Sequence, residues 1–298
     1  MVRSLTLRPP AKINLSLRVG GHRPDGFHDV RTLLQSIALS DRLVATARRG
    51  PFALDVRGAG VPADRTNLVW RAAEAVWRAL GRSGDPRDVR LTLEKQVPVG
   101  AGLGGGSADA AATLVGLNRI WNARRTLPDL ARLAAELGAD VPFFLHGGTA
   151  IGLGRGDELY PVDDIRRFGV VIVKPSFAVA TVEAYRWFDE DRRVGANAPV
   201  AVEPAVDVDV GWGAWRLAIG NDLAGPASRR HPELGAIITA LREGGALGAA
   251  MTGSGSAVFG LFSEAAAKTA ARRLRRPDWL VWVTRTVTRR EALRRAGL

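Results

Sequence analysis

The chain has 298 residues, 46% of them hydrophobic and 24% charged, which is enough for one large or two medium globular domains and argues against disorder. There is no cysteine, which excludes a disulfide framework and any thiolate site, and no run of about 18 apolar residues suited to a membrane span. The formal net charge of +12 favours partners that are polyanions or phosphorylated small molecules.

Along the chain, residues 13–19 alternate apolar and polar, which predicts a half-buried strand; 42–48, 52–56 and 89–95 predict three more. Residues 66–81 predict a helix capped by Thr66, with Val69, Ala73, Val76 and Leu80 on one face and Gly81 ending it. A second helix is expected over 107–121, with Ser107 as its N-cap and Ala111, Leu114, Val115 and Leu117 facing inward. A third is expected over 128–138, opened by Pro128 and closed by glycine. A strand and turn over 148–162 and a strand over 169–175 follow. Next come a helix over 181–188 and a poorly patterned stretch to about 215, within which 195–205 reads as a loop. A helix over 232–245, a hairpin around 253–256, a helix over 264–275 and a strand over 279–287 complete the chain. Such mixing predicts an α+β fold in two domains, 1–162 and 163–298.

The densest local signal is "VPVGAGLGGGSADAAATL", residues 97–114, with five glycines between 100 and 106 directly before a predicted helix. Its G-x-G-x-x-G spacing suggests a dinucleotide fold, but a strand ending in an acidic residue should then follow, and residues 120–137 read as a connection and a helix. A Walker A loop needs a lysine beside the serine, which "GGGSAD" lacks. The shared physics remains: glycines let backbone N–H groups approach a ligand, and the helix start adds a positive end, so an anion belongs there. Asp109, acidic in the first turn, is expected to point away or merely to stabilise that helix end. The basic runs, such as 272–276, read as solvated helix faces and not as a nucleic-acid patch. The four histidines read as too dispersed for a zinc site. Lysine is scarce among the 42 basic residues, standing only at 12, 95, 174 and 268, so each remaining one is a candidate for a site that needs a compact ammonium.

"PPAKINLSLRVGGHRPDGFHDVRTLLQSI" (9–37), the glycine segment, "LGADVPFFLHGGTAIGLGRGDEL" (137–159) and "AAMTGSGSAVFGLF" (249–262) together resemble the motifs of the GHMP small-molecule kinases. "AKINLSL", "DGFHDV" and "GADVPFF" narrow the resemblance to the branch that acts on 4-diphosphocytidyl-2-C-methyl-D-erythritol. It implies an N-terminal domain like domain 2 of ribosomal protein S5, a ferredoxin-like C-terminal domain and an active site in the cleft between them. The implied reaction is ATP-dependent phosphorylation of the substrate's tertiary 2-hydroxyl.

By that resemblance Asp140 is the base and Lys12 its partner. Pro98, Gly100, Gly102, Gly104, Gly105, Gly106 and Ser107 cradle the ATP phosphates, and Asn67 and Leu68 lie beside adenine. Phe27 and Tyr185 stack the cytosine ring, His28, Asn14 and Thr181 supply polar contacts, and Gly253, Ser254 and Gly255 form a second backbone nest. The branch usually has tyrosine where Phe27 stands. Magnesium is implied with ATP; its ligands are unknown, Ser107 being the candidate, with Glu136 nearby in sequence. The implied partner is a small molecule carrying a cytidine diphosphate group, handled by a cytoplasmic monomer or weak homodimer, with no nucleic acid and no membrane. The alternatives are a homoserine- or mevalonate-type kinase and, from another class, a basic RNA-binding module.

Overall fold

The computed structural model describes residues 3–58, 60–195, 206–209, 214–217 and 219–298. The first part runs β1 (Ser4–Leu7), β2 (Pro10–His22), β3 (His28–Ser40), β4 (Arg42–Pro51), β5 (Ala53–Arg57), α1 (Leu68–Ala79), β6 (Arg87–Glu94), α2 (Gly105–Ile120), α3 (Leu127–Leu137), the short α4 (Phe143–His146), β7 (Thr149–Leu153) and β8 (Glu158–Pro161). The remainder runs β9 (Gly169–Pro175), α5 (Thr181–Arg193), β10 (Val206–Asp209), β11 (Ala214–Leu217), β12 (Gly220–Asn221), α6 (Ala224–Arg230), α7 (Pro232–Glu243), β13 (Gly248–Met251), β14 (Val258–Phe262), α8 (Glu264–Arg273), β15 (Trp279–Arg285) and α9 (Arg289–Ala296). The expected loop at 195–205 falls, from 196 on, outside the described residues.

Besides a two-stranded β10-β11 sheet, three larger sheets organise the described elements. One has the order β1-β4-β6-β5, the second β12-β2-β3-β7-β8 and the third β13-β14-β9-β15. Helices α1–α3 cover the first sheet, where Leu43, Leu91 and Leu93 meet Val69, Val76 and Leu114 in one apolar cluster. Helices α5–α8 cover one face of the third sheet through Val171, Val173, Ile237 and Leu241. The other face of that sheet, through Val170, Ile172 and Phe259, packs on Ile13 and Leu15 of β2 and on Leu103 of the glycine segment. That is why "GVVIVKP" is apolar without alternation: β9 is buried on both faces. Among the described residues no helix is long and apolar enough to cross a membrane.

Two expected helix caps are displaced. The helix predicted from 66 begins at Leu68, and Asn67 caps it by accepting from the Val69 amide at 2.9 Å. Thr66 instead donates its hydroxyl to Asp64 Oδ1 at 2.6 Å. Val69, Ala73 and Val76 are buried as the spacing predicts, and Leu80 is the half-buried C-cap. The second helix starts earlier than expected, at Gly105, because Gly104 turns into it with φ 68°; Ser107 lies inside the first turn and does not cap it. Helix α5 runs on to Arg193, past its apolar pattern. Its charged end is tied down where Asp191 accepts from Arg229 Nε at 2.9 Å and Arg230 Nη1 at 3.0 Å.

Candidate active site

A cleft of ≈ 1030 Å³ opens between β2–β3, the glycine segment, the turn after α3, one side of α5 along its length and the β13–β14 hairpin. Of the residues expected in the site, Lys12, Asn14, Phe27, His28, Asp140 and Tyr185 line it. So do Gly100, Gly102, Ser107, Thr181 and the turn Gly253–Gly255. Pro98, Gly104, Gly105, Gly106, Asn67 and Leu68 are not among its lining residues, although Gly106 is exposed and adjoins Ser107. Asn67 is occupied twice, capping α1 through Oδ1 and donating from Nδ2 to the Pro62 carbonyl at 2.7 Å. Leu68 is in van der Waals reach of Gly106, its Cδ1 3.8 Å from where a Cβ would stand.

At the centre, the Lys12 Nζ is 3.7 Å from Asp140 Oδ2. Lys12 is buried and Asp140 is 47% exposed towards the cleft, so the carboxylate can meet a ligand while its cation is held from behind. Asp140 sits in the turn between α3 and α4, whose N-cap position is Pro142 and has no side-chain cap, so the acid does no capping there. Lys12 Nζ also donates to Asn14 Oδ1 at 2.7 Å. That same oxygen accepts the Gly253 amide at 2.9 Å, while Asn14 Nδ2 donates to Thr32 Oγ1 at 2.8 Å. The strand that carries Lys12 is thereby fixed to the hairpin of the third sheet, and the Lys12 amide donates to the Leu103 carbonyl at 3.0 Å, joining the glycine segment as well.

The glycines divide into two kinds. A Cβ at Gly102 would stand 2.0 Å from the Thr252 carbonyl oxygen, and one at Gly104 2.7 Å from the Phe144 ring. These positions, with φ of 72° and 68°, are bare because other parts of the chain approach them. Gly100, on the cleft wall, would meet only Ala178 at 3.6 Å, and nothing but Leu68 comes near Gly106. Ligand approach, the reason read from the sequence, therefore accounts for only part of the glycine content; packing against the hairpin and α4 accounts for the rest. The start of α2 has no side-chain cap, and its first intrahelical donor is the Ala108 amide, bonded to Gly104 at 2.9 Å. The amides of Gly105, Gly106 and Ser107 thus form the positive end of a 16-residue helix.

The β13–β14 turn is less open than its sequence implies. The Gly253 amide is taken by Asn14 and the Gly255 amide by the Thr252 carbonyl at 3.0 Å, so what the turn offers a ligand is Ser254. Its hydroxyl lies 3.0 Å from Thr181 Oγ1 at the uncapped start of α5. Asn221, which the sequence reading overlooked, holds this turn by donating to the carbonyls of Met251 and Gly253, both at 2.8 Å.

Asp109, expected to point away or to stabilise the start of α2, belongs instead to a group with Lys95 and Asp41. Lys95 Nζ donates to Asp109 Oδ2 at 2.7 Å and to Asp41 Oδ2, and Asp41 Oδ1 accepts the Val97 amide at 2.8 Å, anchoring the base of the glycine segment. Asp109 is buried, not pointed outward, and its Oδ1 has no hydrogen-bond partner among the described residues. Burial pushes its carboxyl up to about 8 despite the pull of Lys95. A proton held more tightly in the folded chain adds stability that is complete below the unfolded value of 3.8 and is lost as pH rises to about 8. Each pH unit in that window removes at most about 1.4 kcal/mol. We expect the melting temperature of Asp109→Asn to fall less between pH 5.5 and 8.5 than that of the parent chain. Parallel melting profiles would show that Asp109 is not the titrating group.

The far end of the cleft is aromatic. Tyr185 lies 5.0 Å from His28, stacked at 27°, and burial with the Asp140 charge pushes its phenol up to about 12. Phe27 is 54% exposed, with the Arg155 guanidinium 5.3 Å from its ring centroid. The histidines are not all dispersed: the β2–β3 register sets His22 opposite His28, and with Asp189 three ligand-type atoms lie within 4.8 Å of one another. The contacts are 2.9 Å from His28 Nε2 to Asp189 Oδ1 and 3.1 Å from His22 Nε2 to Asp189 Oδ2. A hairpin brings together what six positions of sequence keep apart.

The model of the GHMP kinases N terminal domain matches residues 67–148 and that of the GHMP kinases C terminal region matches 212–277. The 4-diphosphocytidyl-2-C-methyl-D-erythritol kinase of Pelotomaculum thermopropionicum is 44% identical over 288 residues, covering 95% of this chain and 98% of that protein. A crystal structure of 4-(cytidine 5'-diphospho)-2C-methyl-D-erythritol kinase superposes with TM-score 0.78 at 37% identity, over 95% of this chain and 99% of that one. Homoserine kinase from Cytophaga hutchinsonii, at TM-score 0.67 and 19% identity over 97% and 96% of the two chains, shares the fold. With an uncapped helix start, a lysine–aspartate pair and an aromatic end in one cleft, on a fold and sequence shared with these enzymes, the chain belongs to the 4-diphosphocytidyl-2-C-methyl-D-erythritol kinase family of the GHMP kinases.

Proposed function

We propose that the protein transfers the γ-phosphoryl group of ATP to the 2-hydroxyl of 4-diphosphocytidyl-2-C-methyl-D-erythritol, as a cytoplasmic enzyme that is monomeric or weakly dimeric. The observation that carries the site assignment is the Lys12–Asp140 pair facing the same cleft as the uncapped start of α2. Phosphoryl transfer is mostly positioning and charge stabilisation, and each requirement has a residue here. The α2 amides hold the phosphates. Asp140 accepts the proton of the attacking alcohol, and Lys12 steadies that carboxylate and offsets charge in the transition state.

Magnesium suits the donor set: the Ser107 hydroxyl and the Asp140 carboxylate are hard oxygen donors on one cleft, and this ion is usually held by one or two such groups together with phosphates. Ser107 would hold it; Glu136 is exposed on α3 and does not line the cleft. When bound, the ion offsets charge on the transferring phosphoryl group.

The cytosine ring lies between Phe27 and Tyr185, with His28 at its edge. Phenylalanine at 27 keeps the stacking face and gives up a hydroxyl. Base–aromatic stacking is worth about 1–3 kcal/mol, so Tyr185→Ala should raise KM for the cytidyl substrate roughly ten-fold or more and leave KM for ATP within two-fold. Equal changes in both constants would remove Tyr185 from the base subsite. The reaction itself is tested by coupled ADP release with the cytidyl substrate, homoserine and mevalonate. Turnover with the first alone is the expected result, and turnover with either of the others instead would overturn the reading.

A further inference from the structure

Helix α5 presents Tyr185, Phe188 and Asp189 on one face, at spacings of three and four residues. All three meet His28. Tyr185 stacks on it, the Phe188 ring stands edge-on at 6.2 Å, and the Asp189 carboxylate lies 2.9 Å from Nε2. His28 is 6% exposed and Asp189 20%, so the contact is sheltered from water and geometrically held. The second Asp189 oxygen takes His22 Nε2 at 3.1 Å, so one acid ties the whole β2–β3 hairpin to α5. None of this is explained by packing alone, since a buried apolar residue at 189 would fill the space without orienting a ring.

The chemistry follows from the acceptor. An ionised carboxylate only accepts, so the hydrogen on Nε2 is committed to Asp189. In a neutral ring Nδ1 then carries the lone pair. An acceptor suits cytosine, whose exocyclic amino group donates, and is wrong for uracil, which has a carbonyl oxygen at that position. We propose that Asp189 is a positioning residue for base selection: it fixes the orientation and tautomer of His28 so that the ring reads a cytosine edge. The inference rests on the placement of His28 in the base subsite.

The test is a steady-state comparison of Asp189→Ala, Asp189→Asn, His28→Ala and the Asp189→Ala/His28→Ala double variant, using the cytidyl substrate and its uridyl analogue. Asp189→Ala is expected to raise KM for the cytidyl substrate about ten-fold and to reduce the preference for cytidyl over uridyl by a similar factor. The values of kcat and KM for ATP should stay within two-fold, which also reports correct folding. Asp189→Asn, which keeps one accepting oxygen, should recover part of the loss. Adding Asp189→Ala to His28→Ala should change KM by less than two-fold. A full additional effect in the double variant, or unchanged selectivity in Asp189→Ala when His28→Ala is impaired, overturns the positioning role. An unchanged KM in His28→Ala would instead remove the base-subsite placement, and the inference with it.

Discussion

Asp140→Asn is expected to lower kcat by at least about 10²-fold, the lower bound usual for a positioned general base. The amide keeps the size and planarity of the acid, so the turn between α3 and α4 should hold its shape. What it loses is the ability to take the alcohol proton as the O–P bond forms, together with the charge that Lys12 faces at 3.7 Å. Binding should respond differently from turnover. A carboxylate beside a triphosphate is repulsive, so KM for ATP is expected to stay constant or fall slightly. Steady-state ADP release on protein shown to melt like the parent chain decides the matter: unchanged kcat would dismiss Asp140 as the base.

Lys12→Met is expected to be nearly as damaging, again at least about 10²-fold in kcat. Methionine preserves the apolar stem, whose Cγ stands 3.1 Å from the position a Cβ would take on Gly104, so the packing around the glycine segment is largely kept. Asn14 Oδ1 retains the Gly253 amide at 2.9 Å when the ammonium is gone, which keeps the hairpin attached. What is lost is one compact positive charge beside the acid. Arginine should not restore it, because a planar fork does not replace a compact ammonium that donates to Asn14 and faces Asp140. A Met variant that turns over within three-fold of the parent would show Lys12 to be a structural cation only.

Much of this site was legible in one dimension. The glycine run before a helix predicts a left-handed turn with bare amides, since φ > 0 is a local property of glycine, and Gly100, Gly102 and Gly104 take it up. The helix over 128–138 carries its own start and stop, and α3 forms at Leu127–Leu137 with Thr126 and Asp129 in a capping box. Lysine scarcity marked Lys12 as one of four candidates and the family resemblance chose among them; the fold buries it beside Asp140. The long β3 strand was missed, because from Thr32 onward it is buried on both sides and its polar Gln35 and Ser36 break any alternation. Those residues are satisfied by partners far along the chain: Gln35 Nε2 donates to the Val287 carbonyl at 2.9 Å and its Oε1 accepts from Thr149 at 2.7 Å.

The helix-start correction has the same origin. Serine at 107 is a sound cap by preference, but Gly104 can enter the left-handed region and begin the helix sooner, leaving the serine free on the cleft. The sequence by itself determined the elements whose signals are local: the amphipathic helices, the glycine turn into α2 and the motifs of the family. Only the tertiary structure decided which glycines serve packing, that Asp109 is buried on Lys95, and that His22, His28 and Asp189 form one group. The reason is physical: dihedral preference and hydrophobic period act within a few residues, whereas close approach, desolvation and hydrogen-bond partnership depend on segments that folding alone brings together.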